Sequence, residues 1–232
     1  MDVFIENLGE FFTAFGRTIE IMLMAGVLAM VLGSVLAALR VSPIPLGRFV
    51  GTAYVNLIRN TPLLLIMLIF VFGLPELGIA PTLNLNDLFG TSFSLLNFNS
   101  FFIFATSALA IYTASFVCEA LRSGINSIAV GQAEAARSVG MTFGQTLQLV
   151  VLPQAFRAVI PPLASTLIAM TKNSSVAAAV GVTEATFLMR KLSNDNADQL
   201  FTIFLGFAAG YMALVFLISG IAHLLERKTK VS

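Results

Sequence analysis

Long apolar stretches separated by short polar connections organise this chain. A helix that crosses a bilayer needs about 20 mostly apolar residues. Five stretches approach or meet that length. Thr18–Leu39 carries no charge after Glu20. Asn60–Leu74 is short and draws on residues before Arg59. Phe101–Ala120 is the third. Ala158–Val182 is the fourth, interrupted by Pro161, Pro162 and Lys172. Leu200–Leu225 is uncharged until Glu226. The pattern predicts an all-α polytopic membrane protein with five transmembrane helices, in one domain over residues 1–232. Two consecutive prolines remove two amide donors, so Pro161 and Pro162 predict a bend. Gly26 and Gly33 are suited to close helix packing.

One connection is long and polar. From Glu134 to Pro153 it reads EAARSVGMTFGQTLQLVVLP. Gly131 can serve as an N-cap, with Glu134 three residues on. Ala133, Glu134, Ala135, Ala136 and Arg137 favour a helix, and Gly140 can end it in the left-handed conformation. The expected helix is Gln132–Val139. Thr142 and Gln145 form a capping-box pattern that starts a second helix, expected to stop or kink at Pro153. Ala129, Ala133 and Ala136 share a face, which would let the first helix seat closely in a groove. A helix lying on the bilayer would need a large apolar face and a Lys-rich polar one. Residues 132–139 have neither, which favours docking onto another protein.

Composition supports the membrane reading. Of 232 residues, 57% are hydrophobic and 11% charged, whereas soluble domains carry roughly 25% charged residues. A net charge of +1 gives no basis for nucleic-acid binding. One cysteine, Cys118, excludes an internal disulfide framework and reads as a small buried hydrophobe. The start, MDVFIENLGEFF, lacks the basic segment of a secretory signal.

Charge placement predicts orientation, because cytoplasmic loops are enriched in Lys and Arg. Arg40 and Arg48 follow the first span; Arg122, Arg137 and Arg157 follow the third; Arg227, Lys228 and Lys230 follow the fifth. Ala80–Ser100 holds Asp87 and no base, and the N-terminus holds Asp2, Glu6 and Glu10 before Arg17. The connection after the fourth span carries both signs. The expected topology has the N-terminus outside, the C-terminus in the cytoplasm, and the polar segment 122–157 on the cytoplasmic side.

Ionisable side chains at membrane depth are costly and point to function. Lys172 leads, followed by Asn173, Ser174 and Ser175. It can line a substrate path at a helix break, or pair structurally with a carboxylate, for which Glu119 is a candidate, although Arg122, one turn away, could instead hold Glu119 at the interface. Arg59–Pro62, RNTP, places Thr61 as a possible N-cap and Pro62 at the first helical position, facing a polar cavity. Its plainer reading is that Arg59 marks the cytoplasmic boundary. Arg17 and Glu20 read as a weak surface ion pair.

The spacing Glu134-Ala135-Ala136, Gly140, Val150, Leu152-Pro153 resembles the EAA signature of ABC importer permeases, with Val150 where Ile is more usual. IRNTPLLLIM, YTASFVCEALRSGI, GQAEAARSVGMTFGQTLQLVVLPQAFRAVIPPL and TKNSSVAAAVGVTE resemble the polar amino-acid uptake subfamily, with a likeness to glutamate-type subunits. The resemblance extends over nearly the whole chain. It implies a bacterial inner-membrane permease working by alternating access. It implies a second permease subunit, two cytoplasmic ATPases and an external binding protein, with glutamate as the expected cargo. Glutamine, aspartate and basic amino acids are the alternatives. Gly131, Gln132, Glu134, Ala135, Ala136 and Gly140 would form the ATPase-coupling helix. Arg59, Thr61, Pro62, Glu119, Lys172, Asn173, Ser174 and Ser175 would belong to the translocation path. The chain holds no G-x-x-x-x-G-K-[ST] loop, so no cofactor is expected in it; ATP and Mg would bind the partner ATPase. An ion-coupled secondary carrier would also use Lys172 and Glu119, but five spans leave no pair of equal halves.

Overall fold

The computed structural model describes residues 6–79 and 99–229. The charge reading of residues 80–98, including Asp87, and that of Asp2 and Lys230 fall outside them. All regular elements among the described residues are helical. Four helical segments are long and apolar enough to cross a membrane, and a bent helix pair adds a fifth.

Helix α1 is Leu8–Val41 and begins well before the expected Thr18. Arg17 does not interrupt it, because its guanidinium pairs with Glu20 at 2.9 Å and lies 5.9 Å from the Phe102 ring centre. Helix α2 is Pro45–Arg59 and α3 is Leu63–Leu68. The chain bends by 102° between them. The short second span of the sequence reading is therefore an elbow. Asn60 Nδ2 and Thr61 Oγ1 donate back to the Asn56 and Leu57 carbonyls at 2.7 and 2.8 Å, closing α2. The Pro62 carbonyl accepts the Leu65 and Ile66 amides at 3.0 and 3.2 Å. Pro62 is thus the N-cap of α3. The expected Thr61 cap is wrong, because its hydroxyl is already used by the preceding turn.

Helix α3 continues through a π-helical turn, Ile69–Gly73, and Leu74–Glu76. Helix α4 is Ser100–Asn126, with the Asn99 side chain accepting Phe102 N–H. Helix α5 is Val130–Ser138. Helix α6, Phe143–Thr146, runs through a π-helical turn, Leu147–Val151, into α7, Leu152–Asn173, and a 3₁₀ segment, Ser174–Val180. Helix α8 is Ala185–Asp195 and α9 is Leu200–Thr229.

The helix expected to stop or kink at Pro153 continues through it. Pro153 and Pro75 each follow a π-helical turn by two residues. A proline ring collides with the carbonyl four residues back. Here those carbonyls belong to Leu149 and Val71, inside the widened turns, which relieve the collision. Pro161 and Pro162 likewise lie inside α7 without ending it.

Small residues bring the spans together, as expected where lipid removes the hydrophobic drive between helices. A Cβ on Gly33 would lie 2.6 Å from Val117 of α4, and one on Gly26 3.2 Å from Met170 of α7. Gly124 is tightest: its Cβ would fall 2.1 Å from Val159 Cγ2. Gly124→Leu is expected to push α4 and α7 apart at a cost of about 1–3 kcal/mol. The check is the unfolding midpoint of the purified protein in detergent; an unchanged midpoint would show that the contact is dispensable.

These contacts also fix directions. Arg17 meets Phe102 near the start of α1 and α4, and Arg40 meets Glu119 near their ends, so the two run parallel. Phe15 stacks 6.0 Å from Phe207, aligning α9 with α1. Gly124 against Val159, and Phe72 6.3 Å from Phe101, make α7 and α3 antiparallel to α4. The Arg40–Glu119 end therefore also carries α5 and α6, and Phe15, Phe207 and the start of α4 lie at the other.

Candidate functional site

The polar connection is a helical hairpin. Helix α5 begins two residues earlier than expected, with Ala129 as N-cap and no side-chain cap. Gly131 is thus inside the first turn and is not the cap; its exposed position there needs no special conformation. The other end agrees with the sequence. Gly140 has φ +89°, its amide bonds to the Arg137 carbonyl at 3.0 Å, and the Met141 amide reaches Ala136 at 3.2 Å. This is the Schellman closure. Thr142 and Gln145 form the expected reciprocal box, with the Thr142 amide donating to Gln145 Oε1 at 2.9 Å.

The face available on α5 differs from the expected one. Ala136 is buried and Ala133 half-buried against the chain itself. Small side chains there let α5 pack on the turn that follows. Gln132, Glu134 and Ala135 are exposed, flanked by Val139 and Phe143 at 78% and 74% exposure. Glu134 makes no ion pair among the described residues.

Glu119 is held near the same end of the bundle. Arg40, whose side chain is 8% exposed, pairs with it from α1, and Arg59 approaches to 3.7 Å from α2. Arg59 also lies 5.2 Å from the Phe116 ring centre. The expected Lys172–Glu119 pair is not formed: Arg40 and Arg59 occupy the carboxylate, and Lys172 lies at the opposite end of α7 from the Val159–Gly124 contact beside Glu119. The triad ties three helices at the α2–α3 elbow. Glu119→Gln would leave a largely buried Arg40 without its counter-charge. Since Glu119 is partly exposed, the expected loss is about 1–3 kcal/mol, below that of a fully buried pair. Thermal unfolding of the variant beside Arg40→Met/Glu119→Met checks this: the double variant should be more stable than Glu119→Gln.

Lys172 stands apart from that triad. It is exposed, forms no ion pair among the described residues, and lines a cavity of about 280 Å³ with Ser175, Thr186, Met189, Phe204, Phe207, Ala208 and Tyr211. The helix break expected here is a tightening from α to 3₁₀. Ser174 and Ser175 donate to the Thr171 and Lys172 carbonyls at 2.7 and 2.6 Å. Asn173 is half-buried at the junction. The cavity wall is mostly apolar, with Lys172 as its one cation and the Ser175, Thr186 and Tyr211 hydroxyls as its other polar groups; an apolar wall with a few placed polar groups suits a small molecule carrying a carboxylate. Arg59, Thr61, Pro62 and Glu119 do not line it.

Sequence reasoning missed Glu184, treating it as one charge in a loop of mixed sign. It is 0% exposed. Its carboxylate accepts the Phe187 amide at 3.0 Å, capping α8, and hydroxyl bonds from Tyr211 at 2.7 Å and Thr18 at 3.3 Å. Thr18 Oγ1 in turn accepts the Ala185 amide at 3.2 Å. One acid thus joins α1, α8 and α9. It also lines a larger cavity, about 490 Å³, with Glu10, Arg17 and Lys191. The available signal was Glu three residues after Gly181, whose φ of +90° ends the 3₁₀ segment. Glu is not a favoured N-cap residue.

A bundle of apolar spans with a capped helical hairpin at one end defines a polytopic α-helical membrane protein. The chain belongs to the family described as binding-protein-dependent transport system inner membrane component, whose model matches residues 10–231. It is 43% identical over 216 residues to the glutamate transport system permease protein GluC of Corynebacterium glutamicum, covering 92% of each chain. It is 34% identical to the probable glutamine ABC transporter permease protein GlnM of Bacillus subtilis, covering 100% of this chain and 99% of the relative. Its fold superposes on a crystal structure of an amino acid ABC transporter with histidines, with a TM-score of 0.81 and 27% identity over 97% of this chain and 96% of that one.

Proposed function

We propose that this chain is the permease subunit of an ATP-driven importer for glutamate, with the α5–α6 hairpin in the cytoplasm and the N-terminus outside. The observation that carries the substrate is the 43% identity to a glutamate permease over 92% of both chains. The orientation is supported by the bases near the hairpin end: Arg40, Arg48, Arg122, Arg137 and Arg157. ATP and Mg bind a partner ATPase, a second permease subunit completes the pathway, and an external binding protein delivers the amino acid.

The exposed Gln132, Glu134 and Ala135 contact the ATPase, while Ala136 and Gly140 hold the helix in shape and Gly131 leaves its first turn uncluttered. Movement of α5 reaches the cavity through one continuous helical segment, Phe143–Val180, 38 residues long. That segment carries Lys172–Ser175 at its far end. Lys172 holds a substrate carboxylate by a charge-assisted bond, and Asn173, Ser174 and Ser175 shape the wall. Arg59, Thr61, Pro62 and Glu119 act at the α2–α3 elbow, where the spans can rock. Competition of labelled glutamate uptake by aspartate, glutamine and arginine tests the substrate. Glutamate should compete most strongly, and equal or stronger competition by glutamine or arginine would overturn it.

A further inference from the structure

The Lys172 cavity has a second polar feature. Tyr211 Oη lies 2.7 Å from Glu184 Oε2 and 2.9 Å from Thr186 Oγ1, and both Tyr211 and Thr186 line the cavity. Tyr211 donates its one hydroxyl proton to Glu184, so in the Thr186–Tyr211 bond the Thr186 hydroxyl is the donor. The two hydroxyl oxygens are then left as acceptors, backed by the buried Glu184 carboxyl group. The carboxylate itself is fixed by the Phe187 amide and Thr18. One cavity therefore presents a cation and, elsewhere in its lining, two polarised acceptors. That is the complement of a zwitterion.

We infer that the hydroxyls of Thr186 and Tyr211, oriented by Glu184, receive the α-ammonium group of the amino acid whose carboxylate Lys172 holds. Glu184 is a positioning residue that makes the cavity select for the amino group. The inference rests on the reading of the Lys172 cavity as the substrate site. It differs from a purely structural role for Glu184 as a clasp between α1, α8 and α9, because it requires discrimination between ligands.

The test is binding of labelled L-glutamate to the assembled permease–ATPase complex in lipid nanodiscs without the binding protein. Displacement by unlabelled glutamate is compared with displacement by glutarate, the same diacid without the amino group. A site that hydrogen-bonds the ammonium should prefer glutamate by about tenfold or more. Tyr211→Phe, Thr186→Val and Glu184→Gln should weaken glutamate about tenfold, leave glutarate unchanged and bring the ratio near one. Thr186→Val keeps the bonds of Glu184 to Thr18, Phe187 and Tyr211, so it reports selectivity even if Glu184→Gln fails to fold. Parallel loss of both ligands, or an unchanged ratio in Thr186→Val and Tyr211→Phe, overturns the inference. Lys172→Ala separates the two readings. Loss of both ligands in that variant with the ratio intact in the others sinks only this inference. Unchanged binding in Lys172→Ala sinks the cavity reading itself.

Discussion

Glu134→Lys is expected to cut ATP-dependent uptake about tenfold or more and to weaken or uncouple the ATPase, while membrane insertion stays intact. The side chain is exposed on α5 and joins no ion pair among the described residues, so the permease loses no internal ion pair there. The hairpin is held by the Gly140 closure and the Thr142–Gln145 box, neither of which involves Glu134. The effect must therefore arise at the interface. Placing a cation where a partner is complementary to an anion costs several kcal/mol, against about 1.4 kcal/mol for each factor of ten. Glu134→Gln removes the charge without reversing it and should fall between the two. The measurements are co-purification of the ATPase and the ratio of ATP hydrolysed to substrate moved. Normal coupled uptake by Glu134→Lys would remove this residue from the mechanism.

Lys172→Ala carries the second large effect. A charge-assisted hydrogen bond is worth about 1.5–3 kcal/mol, so binding of labelled glutamate to the assembled complex should weaken roughly tenfold to hundredfold, with uptake slowed accordingly. Assembly should be unaffected, because Lys172 holds no carboxylate among the described residues and packs at a cavity wall. Lys172→Arg keeps the charge but changes its shape and reach, so it should restore part of the binding. Unchanged uptake and substrate preference in Lys172→Ala would leave the lysine a wall residue only.

The spans and the hairpin were legible because each rests on local rules. Apolar length gives a span, and Thr142 with Gln145, or Gly140 alone, gives an end. The elbow at Asn60–Pro62 was half legible. Proline marked the place, but sequence does not say that Thr61 would serve the helix behind it and Pro62 the helix ahead. The continuity of α6 into α7 was not legible, since a π-helical turn leaves no residue signature and Pro153 argued for a stop. Partner choice was illegible for a different reason. Lys172 and Glu119 looked complementary in a list of charges, yet Arg40 and Arg59 reach the same carboxylate from neighbouring helices. Glu184 was missed because its role depends on Thr18 and Tyr211, far away in sequence.

Uptake of labelled glutamate into proteoliposomes tests the ATP-driven reading most directly. The permease is reconstituted alone, with its ATPase, and with ATPase and binding protein, each with and without ATP and with ion gradients collapsed by ionophores. The expected result is uptake only with all components and ATP, unaffected by loss of the gradients. ATP-independent, gradient-driven uptake by the permease alone would contradict it.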